Sequence, residues 1–350
     1  MYWGYLVNLL VISNFREYIL GEKIIMDFGK VKAIVEDIKS KQPEIDRVMF
    51  VGCGASMADL YPGYYFIAHE STKLLSSIQT ANEFNYDTPK GVGDHTIVIT
   101  ASLGGSTPES VAATKKAREL GAHVVTLSMA EDSPIIKETE YKVVHGFQEN
   151  YAAKTEKMTY CLALAIEIVK EFEGYEFYDE ALAAFDGMPD LIQNAVKSVG
   201  PAAKEFGEKY KDEKTIYVLS SGASLGVAYS TASFLFMEMQ WIAAPTVHSG
   251  EYFHGPFELT EKDAPYLLFM NDGKTRHLDA RALTFLQRFD AQITNIDAKD
   301  YGLNEIASEN VIDYFNPMIH TGVMRVFAEE LAKARKHPLT KRRYMWKLTY

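Results

Sequence analysis

Two side chains in this sequence have the types and surroundings for acid–base chemistry. Glu238 lies in the run Phe234-Leu235-Phe236-Met237-Glu238-Met239-Gln240-Trp241, where its neighbours are almost all apolar. A carboxylate in such surroundings is costly unless it is paired or faces a site, and desolvation makes a carboxylate a stronger base. Sixteen residues further on, His254 falls in Gly250-Glu251-Tyr252-Phe253-His254-Gly255-Pro256, a turn-forming stretch. Imidazole is the side chain suited to exchanging a proton near neutral pH. Each residue also has a structural reading, Glu238 as a carboxylate that caps a loop and His254 as a surface histidine.

A second group could hold an anion. Ser102-Leu103-Gly104-Gly105-Ser106-Thr107-Pro108-Glu109-Ser110 joins a strand pattern to a helix pattern. It offers hydroxyls, glycines that let backbone N–H groups face a ligand, and a helix start with proline in its first turn. Thr107 is also explained as a plain helix N-cap. The loop lacks the Gly-Lys-Ser/Thr of a P-loop and has the wrong glycine spacing for a dinucleotide fingerprint. Cys53 and Cys161 have neither metal-ligand nor disulfide spacing, which fits a reducing cytoplasm.

These residues sit in a pattern of short apolar strands and amphipathic helices. Helices are expected over 27–40, 56–70, 108–120, 155–172, 179–185, 191–209, 224–241, 279–288 and 318–335, with a short turn or helix at 82–84. Strands are expected over 48–51, 73–79, 96–100, 124–127, 215–220, 266–270 and 292–296. Such alternation predicts an α/β fold with parallel sheets and helices on both faces. Ligands of such sheets bind beyond the carboxyl ends of the strands, where both Gly54-Ala55-Ser56 and the loop after Thr100 fall.

The pattern occurs twice. Gly54-Ala55-Ser56 recurs as Gly222-Ala223-Ser224, and the same offset of 168 pairs Tyr61 with Tyr229, Glu70 with Glu238, Glu83 with Glu251, Gly105 with Gly273 and Thr107 with Thr275. It sets Tyr86 opposite His254, and Met270 opposite Ser102. An anion site is therefore expected in the first copy alone. The matched glutamates leave open which copy carries the base.

The 350 residues include 36 basic and 47 acidic side chains, for a formal net charge of −11. That balance argues against a general nucleic-acid surface; the basic stretches Lys333–His337 and Lys341–Arg343 are the exception. The apolar segment 2–12 is too short to span a membrane and lacks the flanks of a signal peptide. Met26 precedes the first helix pattern, so residues 1–25 are expected to be an upstream extension.

The Gly-Ala-Ser strand end, the Ser-x-x-Gly-x-Thr loop and His254-Gly255-Pro256 resemble the sugar isomerase (SIS) family, in tandem, across roughly 45–350, and the isomerase half of glucosamine-6-phosphate synthase. Met237-Glu238-Met239-Gln240-Trp241, the stretch Gly250–Glu258, and the ending His337-Pro338-Leu339 with Arg342-Arg343-Tyr344-Met345-Trp346-Lys347 are similar to bacterial fructosamine deglycases. The resemblance implies two doubly wound, flavodoxin-like SIS domains at 26–172 and 214–336, a helical connection at 173–213 and a tail at 337–350 that reaches the active site. It implies Gly54, Ser56, Ser102, Gly105 and Thr107 as phosphate ligands, Glu238 as base, His254 as acid supplied by a neighbouring subunit, and Lys347 in the tail near the sugar. The implied substrate is a 6-phosphorylated fructosamine, cleaved to glucose 6-phosphate and an amine in a cytoplasmic homo-oligomer, without metal or organic cofactor and without nucleic-acid or membrane partners. Other readings are a phosphosugar aldose–ketose isomerase and a non-catalytic sugar-phosphate sensor. The sequence departs from the family where Gly104 replaces a common serine, and where Leu235 and Met237 stand in place of the synthase's lysines.

Overall fold

The computed structural model describes residues 26–349; the reading of 1–25 as an extension falls outside them. Helix α1 (Phe28–Lys41) leads into a five-stranded parallel sheet of β1 (Arg47–Gly52), β2 (Leu75–Thr80), β3 (Thr96–Ala101), β4 (His123–Ser128) and β5 (Tyr141–Val144), in the order β2-β1-β3-β4-β5. That is the flavodoxin-like order. The central strand β3 is buried along its whole length, as expected of a strand covered by helices on both faces. Helices α2 (Gly54–Glu70), α3 (Ala81–Tyr86), α4 (Pro108–Glu119) and α5 (Pro134–Glu138) connect the strands, and α6 (Glu156–Phe172) packs against α2.

After α7 (Tyr178–Ser198) and α8 (Gly200–Tyr210) comes a second parallel sheet of β6 (Tyr217–Ser220), β7 (Thr246–His248), β8 (Pro265–Met270) and β9 (Gln292–Asp297), in the order β7-β6-β8-β9. It repeats the placement of the first four strands of the first sheet. Helices α9 (Leu225–Ser230), α10 (Arg276–Arg288) and α11 (Asn316–Ala334) flank it. The α/β class expected from the sequence is the observed one.

The structure corrects two helices and adds short elements. The expected break between Phe185 and Leu191 does not exist; α7 runs through Gly187 and Pro189 and ends at Ser198. A Cβ at Gly187 would lie 2.8 Å from the Ile306 side chain, so this glycine marks a close approach rather than a helix end. The real break lies at Val199, before Gly200 and Pro201, with proline in the first turn of α8, where its missing N–H does no harm. The expected helix 224–241 is not uniform. Gly222–Ser224 is 3₁₀, α9 is regular, and Thr231–Glu238 is a π-helical turn with i→i+5 bonding. The edge strands β5 and β7, too short to show a period, and helix α5 were not anticipated.

Candidate active site

In register, Gly52 of β1 pairs with Ala101 of β3, so the loops that leave these two neighbouring strands start at the same level. They flank the point where strand order reverses, the usual ligand crevice of this topology. On one side, Gly54 takes a left-handed φ of +58°, which turns the chain from strand into α2. Ser56 follows in the first helical turn, and its Oγ accepts a hydrogen bond from Lys157 Nζ at 2.9 Å. That ammonium lies 3.0 Å from Asp59 Oδ2.

On the other side, Gly105 takes φ +66°, and a Cβ there would collide with Ser133. The turn brings Ser102 Oγ and Thr107 Oγ1 to 3.2 Å from each other. Thr107 occupies the N-cap position of α4, yet its side chain makes no capping bond. Capping therefore does not account for its hydroxyl, and the first-turn N–H groups of α4 remain free of a side-chain cap. The structure brings Gly54, Ser56, Ser102, Gly105 and Thr107 to the mouths of two adjacent strands.

The equivalent place in the second sheet is built differently. Gly222 and Gly273 keep positive φ, at +55° and +124°, so the turns are retained. Their N–H donors are already occupied: Asp313 Oδ1 accepts from Lys274 N at 2.8 Å, and Asp279 Oδ2 accepts from Asn271 N at 3.1 Å. Asp279 is fully buried, and burial pushes its carboxyl above the usual carboxylate range. Ser224, the match of Ser56, bonds to Nδ1 of buried His320 at 2.8 Å. The imidazole of His320 is pushed down to about 4 by burial, so it is neutral at physiological pH.

Glu238 closes the π-helical turn. In that turn Phe236 is fully buried while Glu238 stays partly open, its side chain 23% exposed. π-turns of this kind recur at functional sites. The pairing that such apolar surroundings demand of a carboxylate is supplied by the tail: Arg342 Nη2 lies 2.7 Å from Glu238 Oε1. The same guanidinium donates through Nη1 to the carbonyls of Leu339 and Lys341, at 2.7 and 3.0 Å. The tail is docked on the turn that follows Glu238. Gln240 Nε2 donates to the His337 carbonyl at 2.8 Å, His337 stands edge-on to Trp241, and the Arg343 guanidinium lies 4.3 Å from the Trp241 ring centroid.

Lys347, expected near the sugar, donates from Nζ to the Arg342 carbonyl at 2.7 Å. It braces the arginine rather than Glu238. His254 lies on the turn after β7 and is exposed; Glu238 makes its ion pair with Arg342 and not with His254. Glu70 accepts a hydrogen bond from the Tyr314 hydroxyl, a contact between α2 and the segment before α11. Cys161 is buried and its thiol is pushed up by burial, while Cys53 is half-buried.

Sequence reasoning missed Arg342 and Lys157. The first stood inside a quoted motif, and its place in a basic tail was the available signal. The second had none: Lys157 is 101 residues from Ser56. Among the described residues, no three His, Cys, Asp or Glu side chains are grouped to hold a metal ion, and no helix is long and apolar enough to cross a membrane.

Two parallel sheets in flavodoxin-like order frame a hydroxyl-lined crevice, and a carboxylate is held under the tail. Comparison with known proteins makes this an α/β enzyme of the phosphosugar isomerase type. The SIS domain family model matches residues 44–166. The chain is 35% identical to fructosamine deglycase FrlB of Bacillus subtilis over 92% of its own length and 97% of that protein's. It is 25% identical to fructoselysine 6-phosphate deglycase of Escherichia coli K12, over 97% of this chain and 96% of that one. A crystal structure from Salmonella typhimurium LT2, provisionally described as a phosphosugar isomerase, superposes with a TM-score of 0.90 at 40% identity, covering 95% of this chain and all of that one. The chain belongs to the SIS-domain family and is closely related to the fructosamine deglycases.

Proposed function

We propose that this enzyme cleaves a 6-phosphorylated fructosamine to glucose 6-phosphate and a free amine. The observation that carries this reading is the near full-length correspondence to a fructosamine deglycase, together with a partly buried glutamate held in place by an arginine. The two sheets correspond to tandem SIS units at 26–172 and 214–336, joined by the helical connection 173–213. The tail 337–350 completes the site.

Gly54, Ser56, Ser102, Gly105 and Thr107 anchor the phosphate, so that remote binding energy serves to position the reacting carbons. His254, exposed in the single chain, reaches the site of a neighbouring subunit and assists opening of the sugar ring. Arg342 orients Glu238 through its ion pair. Glu238 removes a proton from C1, and the C1–H electron pair forms the C1–C2 double bond of an enolamine while the C2 oxygen gains a proton. Return of a proton to C2 gives the C1 imine of glucose 6-phosphate. Water adds at C1, the C1–N bond breaks, and the amine leaves with the proton it needs. The enzyme works as a cytoplasmic homo-oligomer and needs no dissociable cofactor for these steps.

The test is incubation with fructoselysine 6-phosphate and then with a panel of other phosphorylated fructosyl amines, with coupled detection of glucose 6-phosphate. Release of glucose 6-phosphate from at least one is expected. Interconversion of glucose 6-phosphate and fructose 6-phosphate, with no release from any fructosamine, would overturn the reading in favour of an isomerase.

A further inference from the structure

We propose that Lys157 is the cationic ligand of the substrate phosphate, with Asp59 as the counter-ion that holds it when the site is empty. The proposal rests on reading the crevice between β1 and β3 as the phosphate site, and it supplies the one thing that crevice lacks in the sequence, a full positive charge.

Lys157 is 4% exposed, and lysine is almost never found so buried unless paired. Its ammonium has three donors. One goes to Ser56 Oγ at 2.9 Å and one to Asp59 Oδ2 at 3.0 Å; the third has no partner among the described residues. Ser56 stands at the start of α2, which leaves β1, and Ser102 and Thr107 stand in the loop that leaves the neighbouring strand β3. A phosphate monoester there carries close to two negative charges into a protein of net charge −11. Two helix N-termini offer partial charges; Lys157 offers a whole one, already desolvated and oriented.

The second half shows that packing does not demand this charge. There the matching serine, Ser224, is held by the neutral imidazole of His320, and Val227 stands 168 residues beyond Asp59. The same helix start is thus secured without any ion. A buried ion pair is weak evidence for stability in general, and here a neutral solution to the same local problem exists in the same molecule. The charged version occurs where the hydroxyls of Ser102 and Thr107 bond to each other, and the neutral version occurs where the carboxylates of Asp279 and Asp313 already accept from loop N–H groups. His145, at the end of β5, is buried, its imidazole pushed down to about 4 by burial with a contribution from Lys157. It therefore does not compete as a second cation.

The experiment compares glucose 6-phosphate, glucose and inorganic phosphate as ligands by calorimetry. The proteins are the wild type, the charge-balanced double variant Lys157→Gln/Asp59→Asn, and Asp59→Asn, which keeps the cation. Loss of a charge-assisted bond predicts at least about tenfold weaker glucose 6-phosphate binding in the double variant. Asp59→Asn is expected to bind inorganic phosphate more tightly than wild type, because the competing carboxylate is gone. A folded double variant that binds glucose 6-phosphate as well as wild type overturns the proposal. If the double variant does not fold, unchanged phosphate affinity in Asp59→Asn overturns it. Wild-type protein that binds glucose 6-phosphate no better than glucose defeats the phosphate reading of the crevice itself, a different failure that the wild type alone reports.

Discussion

The two halves solve one backbone problem with opposite electrostatics. Each ends its first strand in a left-handed glycine, Gly54 or Gly222, and turns after its third through another, Gly105 or Gly273. In the first half the turns are lined with hydroxyls and a buried ammonium, and the N–H groups at the start of α4 lack a side-chain cap. In the second half the carboxylates of Asp279 and Asp313 accept from the loop N–H groups of Asn271 and Lys274, ahead of a helix α10 that likewise lacks a side-chain cap, and the buried base is a neutral histidine. One half is open to an anion from outside; the other carries its anions within. The duplicated frame thus leaves the second half free to present Glu238 on a π-turn beneath the tail.

The comparison breaks most sharply at the matched glutamates. Glu238→Gln removes the proposed base while keeping shape and a hydrogen-bond acceptor for Arg342. Turnover is expected to fall by about 10²- to 10⁴-fold, with the folded structure retained in circular dichroism. Glu70→Gln changes the matching residue, whose partner is the Tyr314 hydroxyl. Its effect is confined to stability, about 1 kcal/mol for exchanging a charged acceptor for a neutral one, with turnover unchanged. If steady-state kinetics showed equal losses in the two variants, the division of labour between the halves would be wrong.

A smaller effect belongs to the hydroxyl loop. Ser102→Ala and Thr107→Val each remove one donor to a phosphate, which predicts a KM raised by roughly tenfold per site and a kcat that stays within a small factor. Asn271→Ala in the second half disturbs a buried hydrogen-bond network with Ser221 and Asp279. It is expected to lower the melting temperature without a specific rise in KM. A KM effect from Asn271→Ala equal to that of Ser102→Ala would mean that both crevices meet the substrate.

These asymmetries were unequally legible in the sequence. Strands such as 96–100 and helices such as 108–120 announce themselves by period and by a closing glycine, and their order gives the fold class. The replacement of Ser102 by Met270 in the second copy could be seen by simple alignment of the repeat. Lys157 could not, because nothing local distinguishes a lysine in the first turn of a helix from a solvated one; its burial arises from α6 packing on α2. The π-turn before Glu238 was also hidden, since an i→i+5 register has no compositional mark. At Gly187 and Pro189 local signals misled, as the close approach of Ile306 explains a glycine that otherwise reads as a helix breaker.

The finest test of the comparison concerns the neutral base itself. His320 is fully buried and its imidazole is pushed down to about 4, against about 6.5 when exposed. Between these values the unfolded chain binds a proton that the folded chain refuses, so stability falls as pH drops through 6.5 and the loss is complete near 4. From pH 7.5 to 5.5 the share due to His320 is on the order of 1 kcal/mol, which amounts to a few degrees in melting temperature. His320→Asn removes this term while leaving a polar partner for Ser224. The stability advantage of wild type over the variant should therefore be largest above pH 7 and should shrink by that amount at pH 5.5, as followed by thermal melts at both values. A constant difference between wild type and His320→Asn across this window would mean that His320 takes up its proton in the folded protein as readily as in the unfolded chain, so that at pH 5.5 the second half, like the first, would hold its serine with a cation.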